Sequence, residues 1–226
     1  MKIGQLLTLF AFCLMATTAS AGITLKATYT DKTGVEVEAT DNFDAEAPLY
    51  VRFTSNPENL DPSASIEWQI SNSSAGISVT RYEEDTDFTF TAAGKNIITL
   101  NVVLDDEVID TKSITITISD SHLEMPNAFS PNGDGINDYF QAKTNTKSIV
   151  EFHAYIFNRH GQKLYDWTDW STESRGWDGT HNGHPVKDGV YFVYVKARGA
   201  DGIDYEIRRD VNLLRNFNNV ENNTNP

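Results

Sequence analysis

In the first half of this chain the apolar side chains recur at every second position, and that rhythm admits little besides β-structure. Ile23, Leu25, Ala27 and Tyr29 keep it, as do Val35 and Val37, then Leu49, Val51 and Phe53, then Ile66, Trp68 and Ile70. It returns at Ile77 and Val79, at Phe88 and Phe90, from Ile98 to Leu104, and at Ile114, Ile116 and Ile118. Successive side chains of a strand leave opposite faces, so period two means half-buried strands, whereas a helix would need spacings of three and four. About eight short strands separated by turn residues predict an antiparallel immunoglobulin-like sandwich over residues 22–119, with Trp68 filling the space between two sheets and no helix.

The alternation stops at the polar stretch Ser119–Glu124, which reads as a linker short enough to make two sandwiches touch end to end as a stiff rod. A second unit of the same class is expected over residues 120–215, followed by a polar tail, 216–226. Tyr155, Phe157, Trp167, Trp170 and Trp177 cluster around its middle. Tyr191, Val193 and Val195 alternate with Phe192 and Tyr194, which puts apolar groups on both faces of one strand. One face is expected to be core. The other is either a docking patch or a surface covered by long loops.

Between these strand-like regions runs Met125-Pro126-Asn127-Ala128-Phe129-Ser130-Pro131-Asn132-Gly133-Asp134-Gly135-Ile136-Asn137-Asp138-Tyr139-Phe140, too rich in Asn, Asp, Gly and Pro for a helix or strand and therefore a shaped loop. Ser130, Asn132, Asp134, Gly135 and Asp138 fall at positions one, three, five, six and nine of the spacing that calcium loops use. A calcium site built on Ser130, Asn132, Asp134 and Asp138 is one reading, and calcium is the only cofactor the sequence raises. However, position one is Ser where Asp is wanted, and position twelve is Gln141 where a bidentate Glu should close the shell. The residues favour the alternative, in which Asn and Asp brace the loop's own backbone amides while Gly133 and Gly135 take positive φ.

This run resembles the opening of the gliding-motility-associated C-terminal domain, the type B sorting signal that Bacteroidota append to cargo of the type IX secretion system. Further segments follow in that family's order. Ile156-Phe157-Asn158-Arg159-His160-Gly161 has His160 where Trp is common; then come Trp177-Asp178-Gly179, Asn182-Gly183, Asp188-Gly189-Val190-Tyr191-Phe192 and the closing Val211-Asn212-Leu213-Leu214-Arg215. Arg209 stands where the family often has Gly. The resemblance implies that the sorting signal is carried by Pro126, Asn127, Phe129, Pro131 to Gly135, Asn137, Asp138, Asn158, Arg159, Gly161, Trp177 to Gly179, Asp188, Gly189, Tyr191 and Arg215. Its implied partner is the outer-membrane machinery, a β-barrel shuttle or receptor. Phe88 to Leu100 also resembles the late strands of PKD-type surface modules, with Ser71 to Gly76 in place of that family's Asp/Gly-rich loop.

Residues 1–21 read as a secretory signal, with Lys2 at the positive end, Leu6 to Met15 apolar, and Ala19-Ser20-Ala21 as the cleavage site. Its apolar stretch falls short of the roughly 20 residues that span a bilayer, and no later segment is a transmembrane candidate. Bulky Phe12 before Cys13 argues against lipid attachment there. Losing Cys13 with the signal would leave no cysteine, so packing must hold the fold. Losing Lys2 takes the formal charge of −14 to −15, which disfavours nucleic acid and anionic lipid because an acidic surface releases no counterions from phosphate.

No nucleophile elbow, zinc-ligand spacing or phosphate loop is present, so no catalytic residue is assigned and the chain is read as a non-enzyme. His181 and His184 flank the turn Asn182-Gly183 and are expected to point apart, and His160 to pack where the family has Trp. The acidic runs Glu83 to Asp87 and Asp105 to Glu107 are expected in hairpin turns as solvated faces. The leading expectation is an exported secretion-associated protein whose first sandwich is an interaction or signal-reporting module with an envelope signalling partner, similar to PorA-type components. A surface adhesin or glycan-binding protein is the alternative. Either destination is the outer-membrane surface or medium, reached through the periplasm, or the periplasm itself if the protein is retained.

Overall fold

The computed structural model describes residues 22–171 and 174–215, and within them every regular element is a strand. The expected signal segment, 1–21, and the tail, 216–226, lie outside the described residues.

The first unit is a two-layer sandwich. One sheet has the order β2-β1-β4-β7, from β1 (Lys26–Thr30), β2 (Glu36–Ala39), β4 (Leu49–Thr54) and β7 (Thr86–Phe90). The other runs β3-β9-β8-β5-β6, from β3 (Phe43–Ala45), β5 (Ser65–Asn72), β6 (Ile77–Arg81), β8 (Gly94–Leu104) and β9 (Glu107–Ile118). The period-two residues face inward: Val51, Phe53, Trp68, Ile98, Leu100 and Ile116 are fully buried. Phe53 of one sheet packs 6.0 Å from Trp68 of the other, and the Trp68 indole N–H donates to the Glu83 carbonyl at 3.1 Å. Burying that indole therefore leaves no polar group unpaired.

Two features depart from the expected antiparallel pattern. The three-residue β3 pairs parallel with β9, Phe43 opposite Ile116. The Glu83–Asp85 turn carries the chain from one sheet to the other, not around a hairpin, since β6 and β7 lie in different layers. Asp105 and Asp106 do form a two-residue hairpin turn, both at positive φ of 50° and 64°, as the right-handed twist of the flanking strands requires.

The second unit has one large sheet, β10-β16-β15-β11-β12, from β10 (Ala128–Phe129), β11 (Ile149–Phe157), β12 (Lys163–Trp167), β15 (Gly189–Gly199) and β16 (Asp204–Leu213). Its inner face, Phe152, Ala154, Ile156, Val193, Val195 and Val211, is covered by a layer of mostly irregular chain. That layer comprises segments 123–148 and 174–188 and the small hairpin of β13 (Thr180–His181) and β14 (His184–Pro185). The outer face, with Tyr155, Phe157, Phe192 and Tyr194, stays at the surface, so among the described residues loops cover one side only.

Val150 and Ala200 of the second unit pack against the first core. Backbone bonds cross the junction from Ala93 N–H to Ala200 O at 2.9 Å. The Ser148 hydroxyl accepts from Ala47 N–H at 3.2 Å and lies 2.8 Å from that of Ser119. The linker is fastened too, since Ser121 N–H and hydroxyl both donate to the Asp201 carboxylate, at 2.9 and 2.7 Å.

Candidate functional site

The Asn127–Asp138 loop opens by adding β10 to the edge of β16. Asn212 N–H donates to Asn127 O at 2.9 Å, Leu214 N–H to Phe129 O at 3.1 Å, and the pairing is parallel. Pro126 has no N–H to give and stands just before it, where a strand edge tolerates proline. The Arg209 guanidinium donates to Met125 O at 3.1 Å and fixes the approach.

The loop then closes on its own side chains. Asp138 accepts backbone N–H groups from Asn132 at 3.0 Å and Gly133 at 2.7 Å on one oxygen, and from Gly135 at 2.8 Å on the other. Asp134 accepts from Ile136 N–H at 2.8 Å and from the Asn132 amide at 2.9 Å, while Asn132 accepts from Asp134 N–H at 3.2 Å. Gly133 and Gly135 both sit at φ +83° and Asn137 at +54°, a region that glycine enters freely and asparagine tolerates. The amides of Gly133 and Gly135, then that of Asn132, hold the Asp138 carboxyl below the ordinary aspartate range, because a carboxylate accepting several N–H bonds resists protonation. A cation would have to compete with these amides for the same lone pairs. Ser130, the remaining member of the calcium-type set, turns its hydroxyl to Ile136 O at 3.4 Å. Among the described residues no three or more His, Cys, Asp or Glu side chains are grouped so as to hold a metal ion.

Behind the loop, residues far apart in sequence converge. Phe140 and Trp177 exchange backbone bonds at 2.8 and 3.0 Å. The buried Trp177 ring lies 5.3 Å from Phe129 and 5.0 Å from Tyr191, and its indole N–H donates to Thr180 O at 2.7 Å. The Tyr191 hydroxyl donates to Lys187 O at 2.6 Å. Asp178 accepts both the N–H and the hydroxyl of Thr180, at 2.9 and 2.8 Å, and shapes the turn that carries Gly179.

Arg215 ties the cluster together. Its guanidinium donates to Gly179 O at 2.6 Å, to Val186 O, and to Asp188 at 3.1 Å; its backbone N–H donates to the other Asp188 oxygen at 3.0 Å. A planar fork with several donors suits this task in a way that a lysine does not. Gly179 is at φ +75°, and a Cβ there would lie 2.9 Å from Arg215 Nη2 and 3.0 Å from Pro131 Cγ. Gly189, at φ +148°, starts the strand that carries Tyr191.

Asn158, Arg159 and Gly161 occupy the turn between β11 and β12. Asn158 accepts from the N–H groups of His160 at 2.9 Å and Gln162 at 3.1 Å. Phe157 pairs with Phe192, three residues from Gly189, so this turn lies at the same end of the sheet as the Trp177 cluster. It does not join that cluster. The opposite end, Ile149 beside Gly199, is the one that meets the first unit. The motif residues therefore occupy the end remote from the first sandwich.

Two expectations fail here. His160 is exposed, with Arg159 Nε 3.3 Å from its ring, because a tight turn projects its residues into solvent. His181 and His184 do not point apart; they are direct partners across the Asn182-Gly183 turn, and opposed residues of a hairpin project from one face. They make no metal pair, since His181 is held by Leu164 O at 2.8 Å and Asn182 at 3.2 Å. Sequence reading also missed Gly176, where a Cβ would meet Phe140 O at 2.1 Å. An isolated Gly before Trp carries no turn signal, so only the close approach of Phe140 shows the need for it.

Residues 123–206 match the family model described as CHU_C Type IX secretion signal domain. That span covers β10, β11, β12 and β15 and the loop and cluster just described. It leaves the first sandwich, Arg215 and most of the last strand outside. No curated protein matches the chain. Among solved structures, "Crystal structure of tetra-tandem repeat in extending region of large adhesion protein" aligns at 13% identity with a TM-score of 0.28, over 87% of this chain and 68% of that one.

Proposed function

We propose that this chain is an exported, non-enzymatic protein of the type IX route, and that the remote end of its second unit is the surface which outer-membrane machinery reads. The supporting observation is convergence. The braced loop, Trp177 to Gly179, Asp188 to Tyr191 and Arg215 meet around Trp177, at the end turned away from the first sandwich, where the Asn158–Gly161 turn also lies, and all but Arg215 fall within the segment that matches a secretion signal domain. A signal presented there stays accessible whatever module is carried at the other end.

In this reading the loop residues are structural. Asp138, Asp134 and Asn132 hold a fixed shape by bonding backbone amides, with no calcium needed, and a shape so fixed costs less ordering on recognition. The first sandwich, residues 22–119, is the working module that binds a partner or reports to an envelope signalling system. Its destination is the cell surface or medium. Fractionation of cells with and without a working type IX translocon tests this directly. The protein is expected outside in the first and periplasmic in the second; equal distribution in both would overturn the reading.

A further inference from the structure

The outer face of the β12-β11-β15-β16 sheet carries an ordered pattern built on side chains outside those assigned to the sorting signal above. Cross-strand register sets Lys163, Phe157, Phe192 and Asp210 in one row and Asp166, Tyr155, Tyr194 and Arg208 in the next. Four aromatic rings thus form the centre, with opposite charges at the two ends of each row and the signs exchanged between rows. The rings are held upright: Tyr155 stacks 6.0 Å from Tyr194 and 6.3 Å from Phe157, and Arg208 lies 4.9 Å over Tyr194. Phe192 is nonetheless 45% exposed and its neighbour Val190 50%.

We propose that this face docks a second copy of the chain, through a twofold axis running parallel to the strands. Such an axis reverses the order within each row. Lys163 then meets the partner's Asp210, Asp166 the partner's Arg208, Phe157 the partner's Phe192 and Tyr155 the partner's Tyr194. One row further on, His153 meets the partner's Lys196 without opposed charges, and Glu206, next to Lys196 on β16, has no charged residue of β12 to face and keeps its pair with Arg208. Beyond that row Glu151 meets the partner's Arg198. An apolar centre with a complementary charged rim is the anatomy of a protein interface, and face-to-face sheets with nearly aligned strands are a common packing.

Charge also selects the place. Two copies of a chain with net charge −14 repel, whereas Lys163, Lys196, Arg198 and Arg208 nearly offset the acids on this face. The ion pairs now made within one copy, Lys163 with Asp166 at 2.9 Å among them, are solvent-exposed and weak enough to be shared. Four strands by four rows give roughly 500 Å² per copy, below the ~800 Å² of a standard interface, so the association is weak, in the micromolar range.

Sedimentation of the mature chain up to about 200 μM, a range that reveals micromolar association, is the test. Dimer is expected, and the single reversals Asp166→Arg and Arg208→Glu should each raise the dissociation constant at least about tenfold. Mixed together, the two variants should pair again, because each faces a complementary residue of the other at both copies of the contact. A wild-type chain that stays monomeric throughout, a dimer indifferent to either reversal, or variants that do not recover on mixing would each overturn the proposal. A monomer that loses a protein partner on Tyr194→Ala assigns the face to that partner and overturns it equally.

Discussion

At the scale of single residues, the Asn127–Asp138 loop is decided by where carboxylate lone pairs point. Asp138 spends its oxygens on three backbone amides, and its folded pKa is lowered for that reason. A group with a depressed folded pKa contributes stability above its unfolded value, about pH 4, and loses it as pH falls through the folded value. The melting temperature of Asp138→Asn should therefore lie below that of wild type at neutral pH, and the gap should narrow below about pH 4. Chelator should leave wild type unchanged. A gap constant with pH would show that the Asp138 charge does not hold the loop, and a calcium-dependent rise in melting temperature would place a cation there. The partial calcium spacing was legible in the sequence, and so were the positive φ angles of Gly133 and Gly135. The pairing of Asp138 with amides five and six residues back was not, since no local rule specifies which side chain a long turn folds over.

Among elements, strands were the readable part, because half-burial imposes period two on Ile98, Leu100 and Val102 whatever lies around them. β3 was missed, as three residues cannot display a period, and its parallel partner β9 lies some seventy positions away, with Phe43 opposite Ile116. The covering layer of the second unit was hidden for a different reason. Its order comes from contacts such as the Phe140–Trp177 bridge, which join irregular segments without a sequence rhythm. Gly176→Ala tests that bridge. Its Cβ would lie 2.1 Å from Phe140 O, and the resulting overpacking should cost on the order of 1–3 kcal/mol, read as a lower denaturation midpoint of the second unit. Full stability in that variant would mean that the covering layer can shift freely, and that the cluster around Trp177 is not a fixed surface.

For the whole molecule, the order of the motifs along the chain was legible, whereas their meeting at one end was not, because that depends on β11, β15 and β16 running past one another in register. The junction was equally hidden. Ser148 is fully buried at φ +49° and bonds across to Ala47, and an ordinary serine gives no sign of this. Among the described residues nothing of the first sandwich, which is fastened at the other end, reaches the remote end, and Ile136, 56% exposed at the loop tip, is the most exposed of the described apolar side chains there. The most direct measurement attaches residues 120–226 to a folded periplasmic reporter and compares the exported fraction with that of the same fusion carrying Ile136→Asp. The parent fusion should leave the cell through the type IX route, and the variant, melting at the same temperature, should stay behind. A parent fusion that is retained, or a variant exported as well as its parent, would contradict the assignment of sorting to this end of the molecule.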